Sequence, residues 1–250
     1  MRVVAAAVGV SLLAGCAVGG EDDEGSPRLT VFAASSLTSA FTRIAEEVER
    51  DDPRVEIRLS FDGSPGLVDQ IAGGAPADVY ASADSLSMDR AVAEGLISGA
   101  PVEFAINVLT LVTPPGNPAG ITGLDRSLAD ARLVVCAEGV PCGDAARALA
   151  GAAGVQLRPV SEESKVTDVL GKVTSGEADA GIVYLTDARS AGDRVEQIAI
   201  PTAASAPTRY QIAVTHRGET DRADAARRFV DAVTGPVGRT VLADHGFGLP

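Results

Sequence analysis

Four short loops carry residues that could bind an anion, and each of them precedes a predicted helix. The first two supply serine hydroxyls, and most can present unpaired backbone N–H groups. The loops are Ala34-Ser35-Ser36-Leu37, Gly63-Ser64-Pro65-Gly66, Val140-Pro141-Cys142-Gly143 and Lys165-Val166. Helix N-termini attract anions through free N–H groups and the positive end of the helix dipole. A serine at one helix start is usually only a cap, so this interpretation depends on the four loops occurring together.

The residues that hydrolases usually combine are missing from this sequence. The chain has two histidines, His216 and His245, and neither lies in a catalytic motif. No G-x-S-x-G, S-x-x-K or H-E-x-x-H motif occurs. We therefore predict a binding protein with no catalytic residues, and a secreted lipoprotein hydrolase is the alternative from another class.

The charge balance restricts the possible partners. The 250 residues include 21 basic and 34 acidic side chains, which gives a net charge of −13. A nucleic-acid partner would require a basic surface to neutralise phosphates, so we expect none. A small anion stays possible, because a local cluster of N–H and O–H donors can bind it inside an acidic protein.

The N-terminal segment is predicted to be a targeting segment and not part of the folded domain. Met1-Arg2 is followed by a short apolar run that ends at Leu13-Ala14-Gly15-Cys16. This ending resembles the lipobox of bacterial lipoproteins, which implies a signal peptide over residues 1–15 and a lipid on Cys16. Residues 16–27 would form a flexible, charged tether. We expect an extracytoplasmic protein anchored by its lipid to the outer face of the cell membrane. The alternative is an ordinary signal peptide with a chance cysteine.

Two cysteines remain in the predicted mature chain. Cys136 and Cys142 lie close together, at a predicted strand end and in the turn that follows. An oxidising compartment favours a disulfide between them, and two buried thiols are the alternative. Two cysteines without a neighbouring histidine make a poor zinc site, so we expect no direct metal ligands.

Short apolar strands alternate with amphipathic helices along the chain, which predicts an α/β fold with mostly parallel sheets. The predicted strands cover residues 28–34, 55–61, 77–81, 102–113, 133–137, 157–160, 180–185 and 210–215. The predicted helices cover residues 37–50, 67–72, 84–95, 143–150 and 164–175, with two more from about residue 221.

The strands and helices form two successive α/β series, one before and one after the long apolar strand at residues 102–113, and this arrangement suggests two lobes. Lobe 1 would comprise residues 28–105 and 209–250, and lobe 2 residues 106–208. Open parallel sheets bind ligands at the carboxyl ends of their strands, where loops lead into helices. We therefore place the ligand in the cleft between the lobes.

Several separated blocks of the sequence closely resemble the molybdate-binding proteins of molybdate ABC importers. The likeness extends from about residue 29 to 247, in the blocks LTVFAASSLTSAF, FDGSPGLVDQIAGGAPADVYASAD, VPCGDAARAL, KVTDVLGKVTSGEADAGIVYLTDA and GFGLP. This resemblance implies a type II periplasmic-binding-protein fold that closes on a tetrahedral dianion. It also implies delivery of molybdate, and of tungstate, to the membrane permease subunits of an ABC importer by a monomer without a cofactor.

The resemblance further implies five neutral donors to the anion. They are the hydroxyls of Ser36, Ser64 and Tyr184 and the backbone N–H groups of Cys142 and Val166. Supporting positions in the same loops are Ser35, Gly63, Pro141, Gly143 and Lys165.

This chain departs from the family pattern at three positions near these donors. Cys142 stands where the family usually has alanine, which an N–H donor tolerates, and the resemblance makes Cys136 its disulfide partner. Pro65 removes an N–H beside Ser64. Asp62 would repel an anion if it pointed inward. Molybdate offers only acceptors, so a site of donors alone suits it, whereas hydrogen phosphate would leave its proton unpaired. Sulfate and phosphate remain the alternative ligands, and a lipoprotein that contacts only other proteins is a third hypothesis.

Overall fold

The computed structural model describes residues 28–250, and within that range ten strands and nine α-helices form. The expected signal peptide, the tether and the lipidated Cys16 lie outside the described residues. None of the helices in this range has the length and apolar character needed to cross a membrane. The strands are β1 Arg28–Ala34, β2 Glu56–Asp62, β3 Val79–Ser82, β4 Ile97–Asn107, β5 Leu109–Thr113, β6 Leu133–Cys136, β7 Ser161–Glu163, β8 Ala180–Tyr184, β9 Glu196–Ile198 and β10 Thr208–Thr215.

The helices follow the strands in nearly regular alternation. They are α1 Thr38–Asp51, α2 Ser64–Ala72, α3 Ser85–Ala93, α4 Pro141–Ala152, α5 Val166–Thr174, α6 Leu185–Ala191, α7 His216–Asp221, α8 Ala223–Thr234 and α9 Pro236–Asp244. Helices α2 and α4 begin two or three residues earlier than predicted, because a proline occupies the first turn of each. The two helices predicted from about residue 221 are α8 and α9, and the short helix α7, which was not predicted, precedes them.

The first sheet has the strand order β2-β1-β3-β10-β4. Strand β1 pairs in parallel with β2 and β3, while β10 is antiparallel to both of its neighbours. Four of its five strands therefore point the same way. Alternation along β1 assigns its side chains to two cores. Val31 and Ala33 pack with the helices α1, α8 and α9, whereas Phe32 packs with α2 and α3.

The second sheet has the order β7-β6-β8-β5-β9 and the same direction pattern, with only β5 reversed among its strands. Its core includes Leu111, Val135 and Ile182, and it is continuous with the apolar faces of α4 and α5. Two sheets of mostly co-directional strands, each flanked by helices, confirm the predicted two-sheet α/β architecture.

The predicted strand over residues 102–113 is wrong as a single element. The chain leaves the first sheet at Asn107 and enters the second at Leu109, so the apolar run is divided between β4 and β5. Only Val108 separates the two strands, and its N–H donates to the Asn107 side-chain oxygen over 3.0 Å. Hydrophobicity alone cannot show this change of sheet, because apolar residues lie on both sides of the crossing.

The predicted strand over residues 157–160 is also wrong. The strand beside β6 is the polar segment Ser161–Glu163, which pairs by its backbone at the sheet edge. Leu157 still packs against the core, although it lies outside any strand. An edge strand requires backbone pairing on one side only, so its sequence need not be apolar.

Candidate functional site

The loops at the carboxyl ends of the strands converge on a small cavity between the two sheets. Its volume is about 10 Å³, close to the space that one water requires. The lining residues are Ala34, Ser35, Ser36, Asp62, Gly63, Ser64, Ala83, Val140, Pro141, Cys142, Lys165, Val166 and Tyr184. All five predicted donors and four of the five supporting positions are therefore brought together, and Gly143 alone of the ten does not line the cavity.

Ser36 enters the cavity wall from a short 3₁₀ turn between β1 and α1. Its side chain is buried, and its hydroxyl lies 2.9 Å from the hydroxyl of Tyr210 on β10. The turn places Ser36 at the carboxyl end of a central strand, as expected for a ligand-binding loop in an open sheet.

Ser64 is the first residue of α2 and is almost fully buried. Its hydroxyl oxygen accepts the N–H of Ala83 over 3.0 Å, and its carbonyl accepts the hydroxyl of Tyr80 over 2.9 Å. Because a backbone N–H can only donate, the Ser64 hydroxyl uses a lone pair there and keeps its own proton to donate elsewhere.

The opposite wall is formed by the start of α4. Cys142 is the second residue of this helix, so its N–H has no intrahelical partner. The structure joins Cys142 to Cys136 by a disulfide, with 5.6 Å between their Cα atoms. Gly143 lies behind this turn, where a Cβ would overlap the carbonyl oxygens of Ala137 and Cys136. Gly143 therefore supports the wall by allowing α4 to approach the end of β6.

The start of α5 completes that wall. Lys165 is the N-cap residue in an extended conformation, and the buried Val166 follows as the first helical residue. The N–H of Val166, like that of Cys142, has no acceptor within its own helix. Two helix N-termini thus face the two serines across the cavity, and their dipoles make it attractive to a negative charge.

Tyr184 ends β8 with a side chain that is only 1% exposed. Its hydroxyl has no hydrogen-bond partner among residues 28–250. Burial raises the pKa of this phenol well above its usual value, so it keeps its proton at neutral pH. A buried hydroxyl without a partner is costly, and a ligand oxygen in the cavity would provide the missing acceptor.

The carboxylate of Asp62, which could repel an anion, accepts hydrogen bonds from neighbouring residues. One of its carboxylate oxygens accepts the N–H of Gly63 over 2.8 Å, and the other accepts the side-chain amide of Gln70 over 3.1 Å. Lys165 lines the same cavity from the opposite side. Among residues 28–250 no group of three or more metal-ligating side chains is found. The arrangement is thus suited to an anion held by neutral donors.

The two histidines lie away from this cavity. His216 is exposed at the start of α7, and the ring of His245 lies within hydrogen-bond distance, 2.7 Å, of the carbonyl of Val241. A larger cavity of about 290 Å³ shares Ser35 and Ser36 with the small one and contains His245, Asp187 and Arg189. No serine, histidine and acid are arranged there as a nucleophile with its base within hydrogen-bond distance.

Sequence reasoning missed the residues that hold the donors in place. Tyr210 and Asn107 are distant from their partners along the chain and lie outside the blocks that carry the resemblance, whereas Ala83 lies inside one of them but acts through its backbone N–H. Nothing in the sequence around these residues indicates their contacts with the site.

Two α/β sheets that present helix N-termini to a shared cleft define the architecture of an extracytoplasmic solute-binding protein. The chain belongs to the bacterial extracellular solute-binding protein family, whose sequence profile matches residues 29–248. This membership confirms the expectation of a binding protein and not an enzyme.

Named relatives include the molybdate-binding protein ModA of Mycobacterium tuberculosis, which is 44% identical over 232 residues, or 91% of this chain and 87% of the relative. ModA of Escherichia coli is 32% identical over 91% of this chain and 90% of its own. The solved periplasmic molybdate-binding protein of Azotobacter vinelandii superposes with a TM-score of 0.77 at 23% identity, over 89% of this chain and 99% of that one. The resemblance recognised in the sequence is confirmed.

Proposed function

We propose that this protein binds molybdate, and also tungstate, outside the cytoplasmic membrane and delivers the anion to the permease of an ABC importer. The observation that carries this proposal is the hydroxyl of Tyr184, which is buried without a partner among residues 28–250 and faces a cavity lined by donors. The relatives that share 44% and 32% of their residues with this chain are molybdate-binding proteins by name.

The proposed ligands to the anion are three hydroxyls and two N–H groups. Ser36 and Ser64 contribute from the first sheet, and Cys142, Val166 and Tyr184 contribute from the second. Molybdate at neutral pH is a dianion with four acceptor oxygens and no proton, so donors from both sides satisfy it without a formal positive charge.

The lobes proposed for closure comprise residues 28–105 with 209–250, and residues 106–208. An anion that bridges the donors of both lobes would favour the closed arrangement over open ones. The cavity of about 10 Å³ supports a compact ligand over a sugar or a peptide, although a tetrahedral anion requires the walls to separate slightly.

The membrane attachment and the partner complete the proposal. A lipid on Cys16 would hold a monomer near the permease, and residues 16–27 would give it reach. Labelling of the intact chain with a radioactive fatty acid, and its loss in Cys16→Ser, tests the anchor. Retention of the label in Cys16→Ser would contradict it.

Thermal unfolding of the chain without its first 16 residues tests the ligand. A ligand that binds only the folded state adds about 4 kcal/mol of stability at a thousandfold excess over its dissociation constant. We expect molybdate and tungstate to raise the melting temperature, and sulfate and phosphate to have a much smaller effect. A shift with sulfate or phosphate alone would assign another anion, and no shift with any of the four would refute oxyanion binding.

A further inference from the structure

Asn107 lies at the point where the chain passes from one sheet to the other, and its side chain is 3% exposed. Its amide oxygen accepts the N–H of Val108 over 3.0 Å. Its amide nitrogen donates to the hydroxyl of Thr186 over 2.8 Å and, more weakly, to that of Tyr210 over 3.4 Å. This one side chain therefore connects the start of α6, which follows the second sheet's β8, with the Tyr210 hydroxyl that contacts Ser36.

These contacts have a defined direction. The N–H of Val108 can only donate, so the amide oxygen of Asn107 faces it and the NH₂ group faces Tyr210. The Asn107 amide occupies one lone pair of the Tyr210 oxygen, which favours donation of the single Tyr210 proton to the Ser36 oxygen 2.9 Å away. A Ser36 hydroxyl that accepts from Tyr210 keeps its own proton for an acceptor in the cavity.

The other hydroxyls of the cavity are restricted in the same sense. Ser64 accepts the N–H of Ala83 and so directs its proton away from it. The Tyr184 hydroxyl has no acceptor among residues 28–250, so a ligand in the cavity would be the acceptor of its proton. A ligand that carries a proton would have to donate it to one of these hydroxyl oxygens. That hydroxyl would then either lack a free lone pair or be unable to donate its own proton to the ligand.

We propose that Asn107 is a positioning residue that, through Tyr210, fixes Ser36 as a hydrogen-bond donor and thereby makes the site select fully ionised oxyanions over those that carry a proton. This inference rests on the proposed function and explains how a site of rotatable hydroxyls can discriminate between dianions of equal charge. The amide sets the direction at the crossing between the sheets, and Tyr210 transmits it to the ligand cavity.

Asn107→Asp reverses this direction. A carboxylate at position 107 accepts the proton of Tyr210, so the Tyr210 oxygen accepts from Ser36 and the Ser36 lone pairs turn to the cavity. We expect molybdate and sulfate to bind about ten- to a hundredfold more weakly, in proportion to each other, because each loses one donor to an anion. Hydrogen phosphate at pH 8 can donate to Ser36, so its affinity should fall much less.

Tyr210→Phe provides a variant that does not bury a new charge. It releases the Ser36 hydroxyl to rotate, so the preference for molybdate over hydrogen phosphate should decrease by roughly threefold or more while the ratio of molybdate to sulfate affinity is kept.

Thr186→Val is the matched control. It removes the 2.8 Å partner of the Asn107 amide but leaves the contact to Tyr210, so all three affinities should change together.

Isothermal titration of the three anions at pH 8, with competition titration for weak ones, measures these ratios in each folded variant. An unchanged ratio of phosphate to molybdate affinity in both Asn107→Asp and Tyr210→Phe overturns the inference, since a purely structural role would weaken all three anions alike. Should the unmodified protein not bind molybdate, the proposed function fails. The ratio of phosphate to sulfate affinity would then still test the positioning role.

Discussion

Tyr184 differs from the other two tyrosines because its hydroxyl has no partner among residues 28–250. Tyr184→Phe should weaken molybdate binding by about 1.5–3 kcal/mol, the value of a hydrogen bond to a charged group, while the free energy of unfolding without ligand is unchanged or slightly higher. Titration calorimetry and urea unfolding measure the two quantities.

Tyr80→Phe is the matched control for that variant. The Tyr80 hydroxyl donates to the carbonyl of Ser64, so its loss should lower the free energy of unfolding by about 1 kcal/mol and leave the donors of the cavity in place. If Tyr184→Phe bound molybdate as tightly as the unmodified protein, the hydroxyl of Tyr184 would not be a ligand.

Asp187 is a buried acidic residue beside the site, and its pKa is raised to near neutral pH. It is 5% exposed and accepts the N–H of Tyr184 over 3.0 Å, and burial raises its pKa to about 7. Between the unfolded pKa near 4 and the folded value, the native state binds the extra proton, so this group makes stability fall as pH rises through that window.

The variant Asp187→Asn keeps an acceptor for that N–H and removes the titration. We expect it to be more stable than the unmodified protein at pH 8 by about 4 kcal/mol and similar to it at pH 4. Urea unfolding across this range gives the difference, with the exposed Asp193→Asn as the control. Parallel pH profiles for the unmodified protein and Asp187→Asn would show that the carboxyl is ionised without penalty.

At the scale of the elements, the proposed closure of the site requires the loop before α2 to lie close to the loop before α5. A Cβ at Gly63 would overlap the carbonyl oxygen of Ser164, so only glycine permits this contact. Gly63 has φ −63° and ψ 139°, a conformation that alanine adopts without strain. Gly63→Ala should therefore fold normally, stay more open and bind molybdate about a hundredfold or more weakly.

Gly66→Ala, one turn later in α2, is the control for this effect. Its Cβ would lie 3.8 Å from the Asp62 carboxylate, an ordinary contact, and alanine stabilises a helix by about 0.5–1 kcal/mol relative to glycine. Affinities of both variants, together with solution scattering with and without molybdate, distinguish closure from folding. Normal affinity in Gly63→Ala would mean that ligand binding does not require this contact.

At the scale of the whole molecule, local patterns predicted the positions of the loops but not the contacts between distant residues. A strand followed by a small polar loop and an amphipathic helix is recognisable at Ser36 and Ser64, because each step has a periodic or capping signal. The passage between sheets at Asn107 has no such signal, since the apolar run continues across it without a glycine or proline to mark a turn. The edge strand at 161–163 was missed because it pairs only by its backbone.

The net charge of −13 acts on the approach of any anion to this site. Helix dipoles attract a dianion only within the cavity, whereas repulsion by the acidic surface extends about 30 Å at 0.01 M ionic strength and about 8 Å at 0.15 M. We therefore expect the association rate constant for molybdate to rise several-fold across this range of sodium chloride, while dissociation from the buried site changes little.

Tyrosine fluorescence can report this association directly. The chain has no tryptophan and three tyrosines, and all three, Tyr80, Tyr184 and Tyr210, are buried around the cavity. Stopped-flow mixing with molybdate thus observes the site without a label.

Lys165→Gln removes the one positive side chain that lines the cavity within residues 28–250, so it should slow association most at low salt. An association rate that fell as salt was added would show that local attraction outweighs the charge of the whole molecule.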